Sequence, residues 1–317
     1  MNYRKIPNTD LDVSTVALGT WAMGNDFWGD IDDQESIDAI QASIDAGINF
    51  IDTAPAYGAG HAEKVVAKAI EGKRDKIIIA TKTGVIRTKT EFIRDLSPAN
   101  IQKDMEESLR RLKTDFIDLY YIHWPDTNTP LEDSVNTLIK LKAQGKFRHL
   151  AVSNFTTELM EQIQGMTDIV CLQPNYSMVN RKIEEQIVPY CEENELGLVT
   201  YGTLAGSLLT GKHRELPDFA ENDNRGRFYN YYRQDIWPQL QGLLSLMDSI
   251  AEIHSCTLAQ VAIAWASQQN GITSVLVGAK NAKQANANAQ ASEVALNDFE
   301  LQEIDSYLRN ELRETIF

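Results

Sequence analysis

The chain has 317 residues with 45 acidic and 30 basic side chains, which gives a formal charge of −15 and an isoelectric point near 4.8. At 43% hydrophobic and 24% charged residues the composition is that of a globular protein, and it excludes a disordered or fibrous one. The acidity argues against nucleic acids and anionic membranes as partners, because phosphates are repelled over most of such a surface.

In chain order, residues 1–15 read as a short hairpin turning at Asn8-Thr9-Asp10. An apolar run at 16–18 leads to a helical pattern over 32–46, with Ile37, Ile40 and Ile44 on one face. Further apolar runs follow at 49–52 and 77–82. Ser97-Pro98 then reads as an N-cap with proline in the first turn of a helix carrying Ile101, Met105, Leu109 and Leu112. Runs at 116–123, 150–154, 170–173, 198–201 and 274–278 alternate with helical patterns at 131–144, 184–194, 258–270, 282–291 and 297–308. Most runs are continuous in Ile, Val, Leu or Phe, as in parallel strands buried on both faces. Eight such strands predict a (β/α)8 TIM barrel with an N-terminal β-hairpin and extra helices, formed by residues 1–317 as one domain; an open doubly wound sheet is the competitor. The polar, aromatic stretch 211–237 lies outside the repeat and reads either as a lid, with Tyr229, Tyr231 and Tyr232 in it, or as a tolerated surface loop. No apolar run reaches the roughly 18 residues of a membrane span, and no apolar segment follows Met1-Asn-Tyr-Arg-Lys to make a signal peptide. Three scattered cysteines, Cys171, Cys191 and Cys256, fit a reducing cytoplasm.

In such a barrel the active site lies at the C-terminal ends of the strands. Those ends read Thr20-Trp21, Asp52, Lys82, His123, Ser153-Asn154, Gln173, Tyr201 and Gly278-Ala-Lys280. Gly58-Ala-Gly60 after the second strand begins like a dinucleotide fingerprint, but the third glycine position is Glu63 and the match fails. His61, His149, His213 and His254 show no metal-ligand spacing with one another or with the cysteines. Among the aromatic and apolar residues near the strand ends (Trp21, Met23, Phe27, Trp28 and Trp124 mark the region), Trp21 and Trp124 directly follow strands and are the expected substrate-pocket residues with Tyr57 and His123.

The segment Asp52-Thr-Ala-Pro-Ala-Tyr57-Gly-Ala-Gly-His-Ala-Glu63 resembles the aldo-keto reductase superfamily. So do Ile79-Ala-Thr-Lys82, Leu119-Tyr-Tyr-Ile-His123-Trp-Pro-Asp, Ala151-Val-Ser-Asn154, Gln173-Pro-Asn-Tyr and Leu208-Leu-Thr-Gly-Lys212. The wording is most similar to the bacterial branch of inositol-locus and general-stress reductases. The resemblance implies NADPH-dependent reduction of an aldehyde or ketone, sugar-derived compounds included, by a tetrad of Asp52, Tyr57, Lys82 and His123. A phenol with pKa about 10 is a poor proton shuttle near neutrality. A lysine ammonium beside it favours the phenolate, and Asp52 keeps that lysine charged. His123 orients the carbonyl.

The same resemblance implies that Ser153, Asn154 and Gln173 hold the nicotinamide carboxamide and that Tyr201 stacks on its ring, with Thr20 and Trp21 alongside. Gly202, Thr203, Leu204, Ala205, Gly206 and Lys212 are implied to wrap the pyrophosphate, with Arg225 reaching in from the long loop. Gly202-Thr203 replaces the family's common Ser-Pro, so a contact from that serine hydroxyl does not carry over whereas backbone contacts do. Gly278, Lys280, Gln284 and Asn288 are implied to meet the 2′-phosphate and adenine. Lys280 and a helix N-terminus suit that phosphate and favour NADPH over NADH, although Gln284 stands where some relatives carry Arg and Ala287 where some carry Glu. Two rival readings are a Schiff-base lyase using Lys82 and a regulatory cofactor-binding subunit similar to potassium-channel β subunits. No partner-binding extension is visible for the latter. The sequence leaves substrate, reaction direction and oligomeric state open.

Overall fold

The structure, a computed structural model, describes residues 1–24, 32–88, 91–219, 225 and 229–312. Strands β1 (Tyr3–Lys5) and β2 (Asp12–Ser14) pair antiparallel as the N-terminal hairpin. Eight strands then close a parallel barrel: β3 (Val16–Gly19), β4 (Phe50–Asp52), β5 (Ile78–Thr83), β8 (Ile117–Ile122), β9 (Phe147–Ser153), β10 (Cys171–Gln173), β11 (Gly197–Thr200) and β12 (Ile272–Gly278). The ring closes where Val275, Leu276 and Val277 pair with Val16, Ala17 and Leu18. Between β5 and β8, β6 (Val85–Arg87) and β7 (Phe92–Arg94) form a separate small hairpin.

The alternation of side chains along each strand explains the unbroken apolar runs. One set fills the barrel: Ala17, Phe50, Ala80, Leu119, Tyr121, Ala151, Cys171, Val199 and Leu276 form a single cluster. Ile6, Leu11 and Val13 of the hairpin belong to the same cluster, so the hairpin closes one end of the barrel. The other set, including Leu18, Ile51, Ile79, Tyr120, Ile122, Val152, Leu172 and Leu198, packs outward against the helices. With one end sealed by the hairpin, the C-terminal ends of the strands form the opposite mouth.

Several boundaries differ from the sequence reading, each for a local reason. The helix expected from 184 runs Ile187–Glu193, because Arg181 clamps the Glu184 carboxylate at 2.7 and 2.9 Å and Tyr176 donates to it at 2.7 Å, holding residues 182–186 in turns. Strand β9 starts at Phe147 because half-buried Arg148 and His149 belong to it, although neither contributes to an apolar run. The helices His61–Ala69, Thr157–Gln164 and Trp237–Ile253 were not visible as patterns. The first follows Gly60, which is in a left-handed conformation (φ +87°) with no side-chain cap. The second is eight residues long and buries only Met160 and Ile163. The third emerges from the long insertion with proline in its first turn. Of that insertion, Tyr229 and Tyr231 stack at 5.8 Å and Tyr232 donates to the Gly206 carbonyl. Phe27, Trp28, Asp223 and Asn224 lie outside the described residues.

Candidate active site

The eight strand ends converge as the barrel order requires. Thr20 follows β3, Asp52 ends β4, Lys82 is the penultimate residue of β5, and His123 follows β8. Ser153, Gln173 and Gly278 end β9, β10 and β12, and Tyr201 follows β11. Thr20 is tied to its neighbour by a bond from Oγ1 to the Asp52 carbonyl at 3.0 Å. Tyr57 does not lie on a strand. Its loop is shaped by Gly58 (φ +60°), where a Cβ would fall 1.9 Å from the Gly24 carbonyl oxygen. Only glycine permits the first and second strand-end loops to pass this closely.

Lys82 is fully buried. Its Nζ donates to Asp52 Oδ1 at 2.5 Å, to the Thr53 carbonyl at 3.0 Å and to the Tyr57 hydroxyl at 3.2 Å. These three acceptors use all three ammonium donors. The other Asp52 oxygen accepts from Gln173 Nε2 at 2.8 Å. The rings of Tyr57 and His123 meet edge-on at 6.0 Å. Burial lowers the Lys82 pKa from its ordinary value, although Asp52 opposes that shift. His123 is pushed well below its usual range by burial and by the Lys82 charge, so its imidazole is neutral.

The Tyr57 phenol goes the opposite way from the expectation based on its lysine neighbour. It is raised well above the ordinary value, chiefly by burial, then by the negative charge of Asp52 and the neighbouring Tyr201. Lys82 is largely neutralised by Asp52, so its field on the phenol is weaker than that of a lone ammonium. Tyr57 is therefore a protonated donor, not a standing phenolate.

A second set of side chains forms one chain of hydrogen bonds across β9, β10 and β11. Ser153 Oγ donates to the Gln173 carbonyl at 2.8 Å, and Asn154 Nδ2 donates to Ser153 Oγ and the His123 carbonyl, both at 3.0 Å. The Tyr201 hydroxyl donates to Asn154 Oδ1 at 2.8 Å. This bond holds the half-exposed ring at the mouth. After β11 the backbone turns left-handed at Gly202 and again at Ala205, Gly206 and Ser207. Such a turn exposes main-chain groups to a ligand. Thr203, at the position of the lost family proline, is buried and donates to the Leu276 carbonyl at 3.1 Å, so it ties β11 to β12. Leu204 precedes the 3-10 turn Ala205–Thr210, and Lys212 is exposed just beyond it. Arg225 reaches that turn, donating to Ser207 Oγ at 2.7 Å.

At the end of β12, Asn281 caps the helix Ala282–Gln290. Exposed Lys280 precedes the cap, and its N–H donates to Gln284 Oε1 at 2.9 Å. Asn288 is buried and donates to the Gly278 carbonyl at 3.1 Å, which fixes the strand end. An aromatic ring anchored by its hydroxyl, an amide cluster, a left-handed turn and a cation at a helix N-terminus lie together at this mouth.

Trp21 stacks against Tyr57 at 6.2 Å, and Trp124 lies under the Arg94 guanidinium of β7 at 4.6 Å. The sequence reading missed Arg94, since nothing local marks the β6–β7 hairpin as part of the mouth. It also missed Asn175, whose amide fills the space beside Gly202 where a Cβ would clash at 2.8 Å. Among the described residues, no three His, Cys, Asp or Glu side chains are grouped to hold a metal, and no helix is long and apolar enough to cross a membrane.

The profile of the Aldo/keto reductase family matches residues 15–309. The chain belongs to that family. It is 35% identical to the aldo-keto reductase YhdN of Bacillus subtilis, over 100% of this chain and 96% of the relative. It is 30% identical to the NADH-specific methylglyoxal reductase of Escherichia coli, over 99% of each. Among solved structures, the glycerol dehydrogenase of Gluconobacter oxydans superposes with a TM-score of 0.90 at 35% identity, covering 98% of this chain and 96% of that one. An aldo/keto reductase of Klebsiella pneumoniae in complex with NADP and acetate gives 0.72 at 29% identity, covering 93% and 91%. Membership of this family makes the protein an oxidoreductase of carbonyl and alcohol groups that uses a nicotinamide cofactor.

Proposed function

We propose that the protein is an NADPH-dependent aldo-keto reductase that converts a small aldehyde or ketone to the alcohol through Tyr57, Lys82, Asp52 and His123. The single observation that carries this reading is the buried Lys82 ammonium shared between Asp52 and the Tyr57 hydroxyl. When bound, the reduced nicotinamide supplies a hydride to the carbonyl carbon. Tyr57 hydrogen-bonds the carbonyl oxygen and gives it its proton as negative charge develops there. The phenolate left behind faces Lys82 at 3.2 Å, which stabilises it, while Asp52 keeps the lysine charged and in place. Neutral His123 has one N–H to orient the carbonyl. Trp21 and Trp124 line the approach.

Ser153, Asn154, Gln173 and Tyr201 hold the nicotinamide end, Gly202–Gly206 with Lys212 and Arg225 the pyrophosphate, and Gly278, Lys280, Gln284 and Asn288 the adenosine end. Gln173 Nε2 is already committed to Asp52, so this residue links the cofactor pocket to the tetrad. Lys280 in front of a helix N-terminus supports NADPH, by the attraction of a cation and of the helix dipole for a phosphate dianion. The Schiff-base alternative is disfavoured because Lys82 is buried and its three donors are occupied, leaving no free amine for a carbonyl. Purified protein is tested with NADPH and a panel of aldehydes, ketones and sugars, following absorbance. Turnover that falls sharply in Tyr57→Phe is expected; no turnover with any carbonyl, alongside tight cofactor binding, moves the assignment to the regulatory subunit.

A further inference from the structure

Behind the tetrad, on the outer face of β5, lies a second buried polar cluster that none of the roles above uses. Lys82 points into the barrel mouth, so its neighbours Thr81 and Thr83 face the helices. Thr81 Oγ1 donates to Glu63 Oε1 at 2.7 Å, and Arg111 Nε donates to Glu63 Oε2 at 2.5 Å. Glu63 is 0% exposed and Arg111 9%. Arg111 also reaches Glu107 at 2.8 Å. Asp104 accepts from Thr83 Oγ1 at 2.8 Å and from the Gly84 N–H at 3.0 Å. A buried ion pair is weak evidence of stability, because apolar side chains of similar volume often do as well or better.

The position of Glu63 suggests what this pair does instead. It stands in the first turn of His61–Ala69, the helix into which the Tyr57 loop runs. That helix has no side-chain cap, so its start depends on other anchors. Gly60 at the junction lies so close to Arg111 that a Cβ would come 2.6 Å from the arginine side chain. One carboxylate therefore joins the segment that carries Tyr57 to the strand that carries Lys82, and Arg111 balances its charge. The same negative charge also favours the ammonium form of Lys82.

We infer that Glu63 is a positioning residue, whose bonds to Thr81 and Arg111 set the separation between the Tyr57 hydroxyl and Lys82 Nζ. This rests on the assignment of Tyr57 and Lys82 to carbonyl reduction.

Thr81→Val tests it, because this change keeps the side-chain shape and the Glu63–Arg111 pair and removes only the donor to Glu63. Thr81→Ser puts the donor back. In crystals of the cofactor-free protein, Thr81→Val is expected to lengthen the Nζ–Oη separation by about 0.5 Å or more, while Thr81→Ser keeps the wild-type value. With NADPH and methylglyoxal, Thr81→Val is expected to lower kcat about ten-fold with both KM values little changed, and Thr81→Ser to restore it. Should the valine protein not fold, Thr81→Ala is read in the same way. An unchanged separation overturns the inference whether or not the wild type reduces a carbonyl. So does a loss that falls on cofactor KM, or one that serine does not rescue. A wild type with no carbonyl reduction overturns the functional reading alone.

Discussion

Lys82 Nζ donates to the Tyr57 hydroxyl across 3.2 Å from a position with no solvent exposure. A fully buried ammonium persists only if its donors are satisfied and its charge is balanced. Here Asp52 and the Thr53 carbonyl take the other two donors. The strength of the cation that Tyr57 meets is thus set by Asp52.

Tyr57→Phe removes the proton donor and leaves the ring that packs between Trp21 and His123. Carbonyl reduction is expected to fall by about 10²- to 10⁴-fold in kcat, the usual contribution of a positioned acid. Cofactor affinity, measured by fluorescence titration, is expected to stay at the wild-type value. Equal losses in both would remove Tyr57 from the proton-donor role.

Asp52→Ala leaves the Lys82 charge buried without its counter-ion and strips Gln173 Nε2 of its acceptor. Loss of one member of such a pair destabilises by about 3–5 kcal/mol. Urea denaturation of the cofactor-free protein is expected to show a loss of that order. Within about 1 kcal/mol of wild type, the pair would be contributing no more than a surface ion pair does.

The direction of the Tyr57 shift makes a pH prediction. Because the phenol is raised above its ordinary value, Tyr57 stays protonated through neutral pH. The reduction kcat is therefore expected to be flat from pH 6 to about 8.5, while the reverse alcohol oxidation, which needs the base form, climbs with pH. A reduction rate that declines through pH 7 would mean a phenol titrating near neutrality.

His123 carries a stability prediction with a definite sign. Its folded-state pKa is depressed, so below the ordinary value near 6.5 the unfolded chain binds a proton that the folded chain refuses. Stability is therefore expected to fall as pH drops below about 6.5, with a slope under the about 1.4 kcal/mol per pH unit of one fully depressed group. Denaturant midpoints of wild type and His123→Gln between pH 4.5 and 6.5 check this. The two profiles would run parallel if the shift were absent.

Cofactor choice tests the Lys280 end of the site. Replacing Lys280 by Met removes a charge suited to a 2′-phosphate, and a charged hydrogen bond is worth about 1.5–3 kcal/mol. kcat/KM with NADPH is expected to fall about 10- to 100-fold, with NADH unaffected. Equal effects on both cofactors would place Lys280 away from the 2′-phosphate.

The continuous apolar runs were legible because a strand in this barrel is buried on both faces, so nearly every residue of Val16–Gly19 or Ile117–Ile122 must be apolar. The strand-end residues were legible for the same reason, since Asp52, Lys82 and Gln173 stand out against those runs. Arg94 and Asn175 were not, because their neighbours in space, Trp124 and Gly202, are distant in sequence. The helix His61–Ala69 was hidden because a left-handed glycine starts it in place of a capping side chain.

The sequence by itself determined the eight barrel strands, the residue type at each of their ends and the family to which they belong. Strand burial and residue chemistry are properties of each segment taken alone. Only the tertiary structure decided how those residues act on one another. It gave Tyr57 a raised pKa where its lysine neighbour suggested a lowered one, tied Gln173 to Asp52, and ran Thr81, Glu63 and Arg111 into one buried chain. Electrostatic fields and hydrogen bonds depend on distance and burial, and both are fixed only when the barrel closes.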